Sequence, residues 1–261
     1  PSIIAMLVSA VYNIADQLFI GNAVGTLGNA ATNIAFPLAM MCTGLGLLFG
    51  IGGAASFNLH MGAGKKEKAP YFVGNAITML LTVGILLFAI TELFLNPLLV
   101  GFGSPADVLP LARQYVRVTA IGFPFLILTI GSGHLIRADG SPKMAMFVNI
   151  SGAVINIVLD IVFVSQFHMG VAGVAYATVI AQAISAVLCM WRLMRMTDIF
   201  DFRPKYLKMK KQYSMEIIRL GLPSGITQAI FSMAMVIVQS LTNSFGEMVI
   251  AANVIIMRVD G

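Results

Sequence analysis

Charge is what this 261-residue sequence has least of: Asp, Glu, Lys and Arg make up 10% of it, against 58% hydrophobic residues. A soluble domain carries about 25% charged and about 45–50% apolar residues. The shortage excludes a soluble enzyme, a nucleic-acid-binding domain and a disordered chain. Cysteine is nearly absent too. Cys42 and Cys189 both lie inside apolar runs, so neither a disulfide framework nor a zinc site is open to them; they read as small buried hydrophobes. His60, His134 and His168 are scattered over loop ends without ligand spacing, and no Ser–His pair at one depth offers a hydrolase nucleophile. The sequence opens at Pro1, with no Met and no charged leader before the first apolar run, which reads as truncation and not as a signal peptide.

What is present is apolar length. With a mean hydropathy of +0.90 and about 20 apolar residues per crossing, there is room for about seven or eight membrane spans. The runs fall at about Pro1–Ile20, Asn33–Leu59, Tyr71–Val100, Leu111–Ile136, Met144–Val164, Val171–Leu193 and Ile217–Thr242, with another opening near Val249. The basic residues alternate by loop. Lys65, Lys66 and Lys68 follow the second run, Arg137 and Lys143 the fourth, and Arg192, Arg195, Arg203, Lys205, Lys208, Lys210 and Lys211 the sixth. By the positive-inside rule these loops and the N-terminus are cytoplasmic; Arg113 and Arg117 are the exceptions. In the turn RADGSPK, Gly140 is expected to take the left-handed conformation, with Ser141 capping the next helix and Pro142 at its first position.

The stretch PSGITQAIFSMAMVIVQ from Pro223 can be laid over PSIIAMLVSAVYNIADQ from Pro1. It begins just after the longest polar segment, as a second six-helix unit of a transporter built from repeats would. The expected organisation is an all-α polytopic membrane helix bundle. It has a six-helix N-terminal lobe over residues 1–196, a basic cytoplasmic linker over 197–212, and the first two helices of a second, repeated lobe over 213–261. The linker reads as a solvated stretch facing lipid headgroups. Asp16 falls opposite Ile237 or Val238 in the second copy, so its role belongs to the first lobe.

Two acids lie deep in the spans. A charged side chain at mid-membrane costs at least about 2.5–3.5 kcal/mol and faces a cavity or a partner. Asp16 shares a helix face with Ser9 and Tyr12, Asp160 with Asn149, Gly152 and Asn156, and the sixth run presents Thr178, Gln182 and Ser185 at the same steps. Asp16 and Asp160 sit roughly 9 Å, and Thr178 roughly 12 Å, from the outer ends of their runs. Three helices therefore bring oxygen-bearing side chains to one level. Such a set can bind Na⁺, or the two carboxylates can share a proton. The plainer alternative is that each polar group only bonds a neighbouring helix.

The segments YNIADQLFIGNAVGTLGNAATNIAFPL, LIRADGSPKMAMFVNISGAVINIVLDIVFV, GVAGVAYAT and RLGLPSG resemble the multidrug and toxic compound extrusion (MATE) family. The resemblance implies a two-lobed antiporter of the plasma membrane. It would export organic cations and other amphipathic compounds against inward Na⁺ or H⁺, with no catalytic residues and no cofactor beyond the coupling ion. It implies that Asp16, Tyr12, Asn156, Asp160 and Thr178 are the cation-coupling residues and that Pro1 is where the first helix bends. The implied partners are small amphipathic substrates, membrane lipids and the rest of the C-terminal lobe; nucleic acid is not among them. The seventh run has Gln228, Phe231 and Gln239 but no acid beyond Glu216, which favours coupling in the N-terminal lobe. The alternatives are a flippase for lipid-linked oligosaccharides and an intramembrane aspartyl hydrolase. The first needs a basic cavity, and the usual glycine-flanked aspartate of the second is absent around Asp160.

Overall fold

The computed structural model describes residues 25–104, 106–196 and 203–244. Helices α1 (Thr26–Gly62), α2 (Ala69–Leu93), α3 (Leu95–Gly101), α4 (Leu109–Ile121), α5 (Phe123–Ala138), α6 (Pro142–Asp160), α7 (Gly170–Met194), α8 (Pro204–Leu207) and α9 (Lys211–Ser244) follow in order, with a π-helical segment, Ile161–Gln166, continuing α6. No strand occurs among the described residues. Residues 30–62, 69–93, 142–166 and 170–194 are each long and apolar enough to cross a membrane, and α4 with α5, bent by 51°, are so when taken together. The protein is a multi-pass membrane helix bundle. Pro1, Tyr12 and Asp16 lie outside the described residues.

The apolar runs locate these helices, and their ends and breaks follow from backbone chemistry. The helix from Thr26 starts within the segment expected as a loop before Asn33. The third run is broken at Phe94: Pro97 has no N–H for the carbonyl of Leu93, so the helix stops there and restarts. The fourth is bent by 51° between Ile121 and Phe123, where Pro124 has no N–H for the carbonyl of Ala120, which accepts from a backbone N–H at the bend instead. At the turn after α5, Gly140 has φ 75° and Pro142 opens α6, as expected. Ser141 occupies the cap position but its hydroxyl does not cap. Instead it accepts a hydrogen bond from Arg192 Nη2 at 2.6 Å, because a guanidinium is a stronger donor than a helix N–H. The same nitrogen donates to the Asp139 carboxylate, tying the α5–α6 turn to the end of α7. Burial pushes the Asp139 carboxyl up from its ordinary range, and the charge and hydrogen bond of Arg192 pull it back. The Arg117 exception to the charge rule has a local partner: its Nε lies 3.5 Å from Glu92 Oε2. Cys42 and Cys189 are free and buried.

Lipid tails are as apolar as leucine, so helices in a membrane associate by close packing of small residues. α1 crosses α5 at Gly50, where a methyl group would come 2.5 Å from the Cα of Gly131. Farther along, α1 meets α9 so closely at Gly52 and Gly221 that neither could carry a Cβ. The largest fully buried side chains, among them Phe72, Ile77, Leu80, Ile127 and Leu135, fill the space between α1, α2 and α5.

Two outcomes are expected from these contacts. Gly50→Val forces α1 and α5 apart and lowers stability by about 1–3 kcal/mol, read as a lower unfolding midpoint in detergent. Arg192→Gln leaves a partly buried carboxylate without its cation and destabilises by about 1.5–3 kcal/mol at neutral pH. Its deficit shrinks on acidification: the folded-state pKa of Asp139 is raised, so the folded protein takes up a proton as pH falls from neutral towards the ordinary carboxylate range, and protonation removes the stranded charge. A deficit independent of pH would contradict this account.

Candidate functional site

α6 and α7 run antiparallel and share a polar seam. Asn156 and Asp160 are one turn apart on α6 and face the bundle; Asp160 has no exposed surface and Asn156 is 2% exposed. The spacing of four residues stacks them on one face. The Asn156 carboxamide lies between Asp160 and Thr178. In one orientation its nitrogen donates to Asp160 Oδ2 at 3.1 Å while its oxygen accepts from the Thr178 backbone N–H at 3.1 Å. In the other its nitrogen donates to Thr178 Oγ1 at 3.3 Å. The Thr178 hydroxyl donates to the Val174 carbonyl at 2.9 Å, which leaves oxygen lone pairs facing the seam.

Asn156, Asp160 and Thr178, singled out in the sequence, are thus in one place. Tyr12 and Asp16, which would complete the set, and Pro1 lie outside the described residues. The rest of the polar stripes divides. Ser185 is buried against Gly152, where a Cβ would come 2.4 Å from its Oγ; the small residue lets α6 and α7 approach along the seam. Asn149 is exposed. Gln182 turns its side-chain oxygen towards Gly122 at the α4–α5 bend.

The backbone changes immediately beyond Asp160. Residues 161–166 form a π-helix, and His168 just past it has a positive φ of 52°. A π-turn widens the helix and displaces each carbonyl from its usual acceptor position; such segments are frequent at functional sites. The β-branched, apolar run Ile-Val-Phe-Val carries no sequence signal for this change.

The basic end of the bundle lies roughly 27 Å from Asp160 along α6. There an open cavity of about 830 Å³ is lined by Leu59, Lys211, Gln212, Met215, Glu216, Arg219 and Leu220. His60 of α1 faces Glu216 of α9 across 3.6 Å. Near it, Asn75, a lone amide in the apolar α2 and fully buried, holds the segment before α9. Its nitrogen donates to the Tyr206 carbonyl at 3.2 Å, and its oxygen accepts from the Lys210 N–H at 2.9 Å and the Ser214 hydroxyl at 3.3 Å. Thr78 donates to the Leu207 carbonyl at 2.8 Å. Sequence reading passed over Asn75; the only available signal was an amide beside glycine in an otherwise apolar run.

The family model MatE matches residues 1–162. The multidrug export protein MepA of Staphylococcus haemolyticus is 26% identical over 259 residues, which are 99% of this chain and 57% of that protein. MepA of Staphylococcus aureus strain NCTC 8325 is 25% identical over the same shares. The crystal structure of MATE in complex with MaD3S superposes with a TM-score of 0.89 at 26% identity, covering 98% of this chain and 58% of the other. A MOP superfamily transporter from Pyrococcus furiosus, for which a reversed polarity of the binding pocket suggests a different function, gives a TM-score of 0.88 at 25% identity over 98% and 57%. The chain thus spans a little over half the length of the curated relatives it matches.

Proposed function

This chain belongs to the MatE family, and on that premise we propose that it is part of a cation-coupled exporter of organic cations and other amphipathic compounds. It works by alternating access in the plasma (inner) membrane, with its basic loops and N-terminus in the cytoplasm. Its coupling site is formed by Asp160, Asn156 and Thr178 together with Asp16 and Tyr12 of the first span. The observation that carries the reading is Asp160: a carboxyl group with no exposed surface in a membrane-spanning helix, hydrogen-bonded through Asn156 to the next helix. A carboxylate in a medium of low dielectric must be compensated by a cation or take up a proton. Either event changes the local charge and so can bias the bundle between two arrangements.

Asn156 suits both charge states. Its amide nitrogen donates to an ionised Asp160. When Asp160 is protonated, its O–H donates to the amide oxygen instead, and the turned nitrogen donates to Thr178 Oγ1. For Na⁺, the oxygens of Asp160, Asn156 and Thr178 form a hard donor set of the kind that binds such ions. The seam joins α6 to α7, so a change at Asp160 is passed to both helices and to the π-helical segment. The drug site is coupled to this site reciprocally, as linkage requires: the cation weakens drug binding by the factor by which drug weakens cation binding. MepA is a multidrug export protein by name, which supports this substrate class. The buried acid favours it over a flippase for lipid-linked oligosaccharides, whose anionic cargo needs a basic cavity.

In the full-length protein, Asp160→Asn and Asp16→Asn are each expected to abolish the dependence of drug efflux on a Na⁺ or H⁺ gradient. Asn156→Leu is expected to reduce it by roughly 5–150-fold, the span of a coupling energy of about 1–3 kcal/mol. Efflux assays in cells of matched expression read both effects. Gradient-driven efflux unchanged in both aspartate variants would remove these residues from the coupling site.

A further inference from the structure

The segment joining α7 to α9 holds its cations in a defined arrangement. From Arg203 to Lys211 the chain has five basic residues and no acid. Lys205, Lys208 and Lys210 are exposed, and none has a carboxylate within ion-pair distance among the described residues. Elsewhere in the bundle the geometry differs: Arg117 and Arg192 each face an acid. The backbone of the segment is committed inward. The carbonyls of Tyr206, Leu207 and Lys208 and the N–H of Lys210 are bonded to Asn75 and Thr78 of α2. The backbone of the segment is therefore fixed against α2, while the lysine side chains stay exposed.

Two of the ammonium groups are placed by rings. Lys210 Nζ lies 4.5 Å from the ring centre of Tyr71, which stacks on Tyr213 at 5.0 Å. Lys205 Nζ lies 4.8 Å from the ring centre of Tyr206. A ring face holds an ammonium group without neutralising it, so its positive charge stays available to an anion. Between Lys208 and Lys210, Met209 is 49% exposed. Cations beside an exposed apolar side chain, at the end of a membrane bundle, match the boundary between headgroups and acyl chains.

We propose that the surface formed by Lys205, Lys208 and Lys210 over Tyr71 and Tyr206 is a binding site for the phosphate of an acidic phospholipid. Charge complementarity identifies the headgroup, and Met209 beside it selects a lipid over a free anion. The segment links the six-helix unit to α9, so the lipid sits on the joint between the two expected lobes. The site rests on the proposed membrane orientation only for the leaflet it draws from; binding itself needs neither the orientation nor coupling at Asp160.

The test uses the full-length protein in nanodiscs of phosphatidylcholine, with or without phosphatidylglycerol, and short-chain phosphatidylglycerol titrated in detergent. The parent is expected to unfold at a higher temperature when phosphatidylglycerol is present. Lys205→Gln/Lys208→Gln/Lys210→Gln loses that rise and binds the short-chain lipid roughly 100-fold more weakly, at about 1 kcal/mol per lysine. Lys65→Gln/Lys66→Gln/Lys68→Gln, which removes equal charge from the loop between α1 and α2, keeps the rise. A triple Lys→Arg variant retains charge and folding and is expected to bind; Tyr71→Leu is expected to bind more weakly without any change of charge. Asp160→Asn binds as the parent does, which separates failure of this site from failure of the coupling site. Equal losses in both Lys→Gln triples, a parent indifferent to phosphatidylglycerol, or full reproduction of the effect by inorganic phosphate would each overturn the proposal.

Discussion

Hydrocarbon offers no partner to a polar group, and this one constraint organises the whole bundle. Every backbone N–H and C=O in the membrane must be satisfied within a helix or by a neighbour. The polar side chains that remain therefore stand out as the places where the structure commits to a specific contact. Among the described residues they include the Asn156–Asp160–Thr178 seam, the Asp139–Arg192–Ser141 turn and the Asn75 clamp. Each joins segments that apolar packing alone leaves free to slide. Apolar side chains fill the space, glycines set how closely helices approach, and the polar contacts fix the register.

The sequence was legible where the physics is one-dimensional. An apolar run long enough to cross the membrane gives a helix in any context, so the positions of the spans and the all-helical fold could be read directly. The loop Gly140–Pro142 was legible for the same reason, because its glycine and proline act on their own backbone. Breaks within spans were harder. Pro97 and Pro124 interrupt their helices, whereas Pro37 and Pro223 lie inside α1 and α9, so a proline in a span does not by itself say whether the helix breaks. The spacing of Asn156 and Asp160 showed a shared face, but that Thr178 meets them depends on the packing of α6 on α7. Asn75 was the least legible, since its partners lie more than 130 residues away in sequence and nothing local distinguishes it from an amide that snorkels.

Asp139, partly buried, and Asp160, with no exposed surface, show why burial alone does not identify a functional group. Asp139 is held by Arg192, a cation built into the end of α7, so its compensating charge comes from the bundle itself. Asn156, the neighbour of Asp160 on α6, is neutral and reversible: a carboxamide donates from one end and accepts at the other, so it serves a carboxylate or a carboxylic acid after a half-turn about one bond. A fixed cation makes an acid a fastener. A neutral amide that suits either charge state can stay bonded to a carboxylate or to a carboxylic acid alike. That difference in the contacts the structure shows is what the proposed coupling role of Asp160 draws on. The π-helical segment Ile161–Gln166 lies directly beyond Asp160, and such a local change of helical geometry is frequent at functional sites.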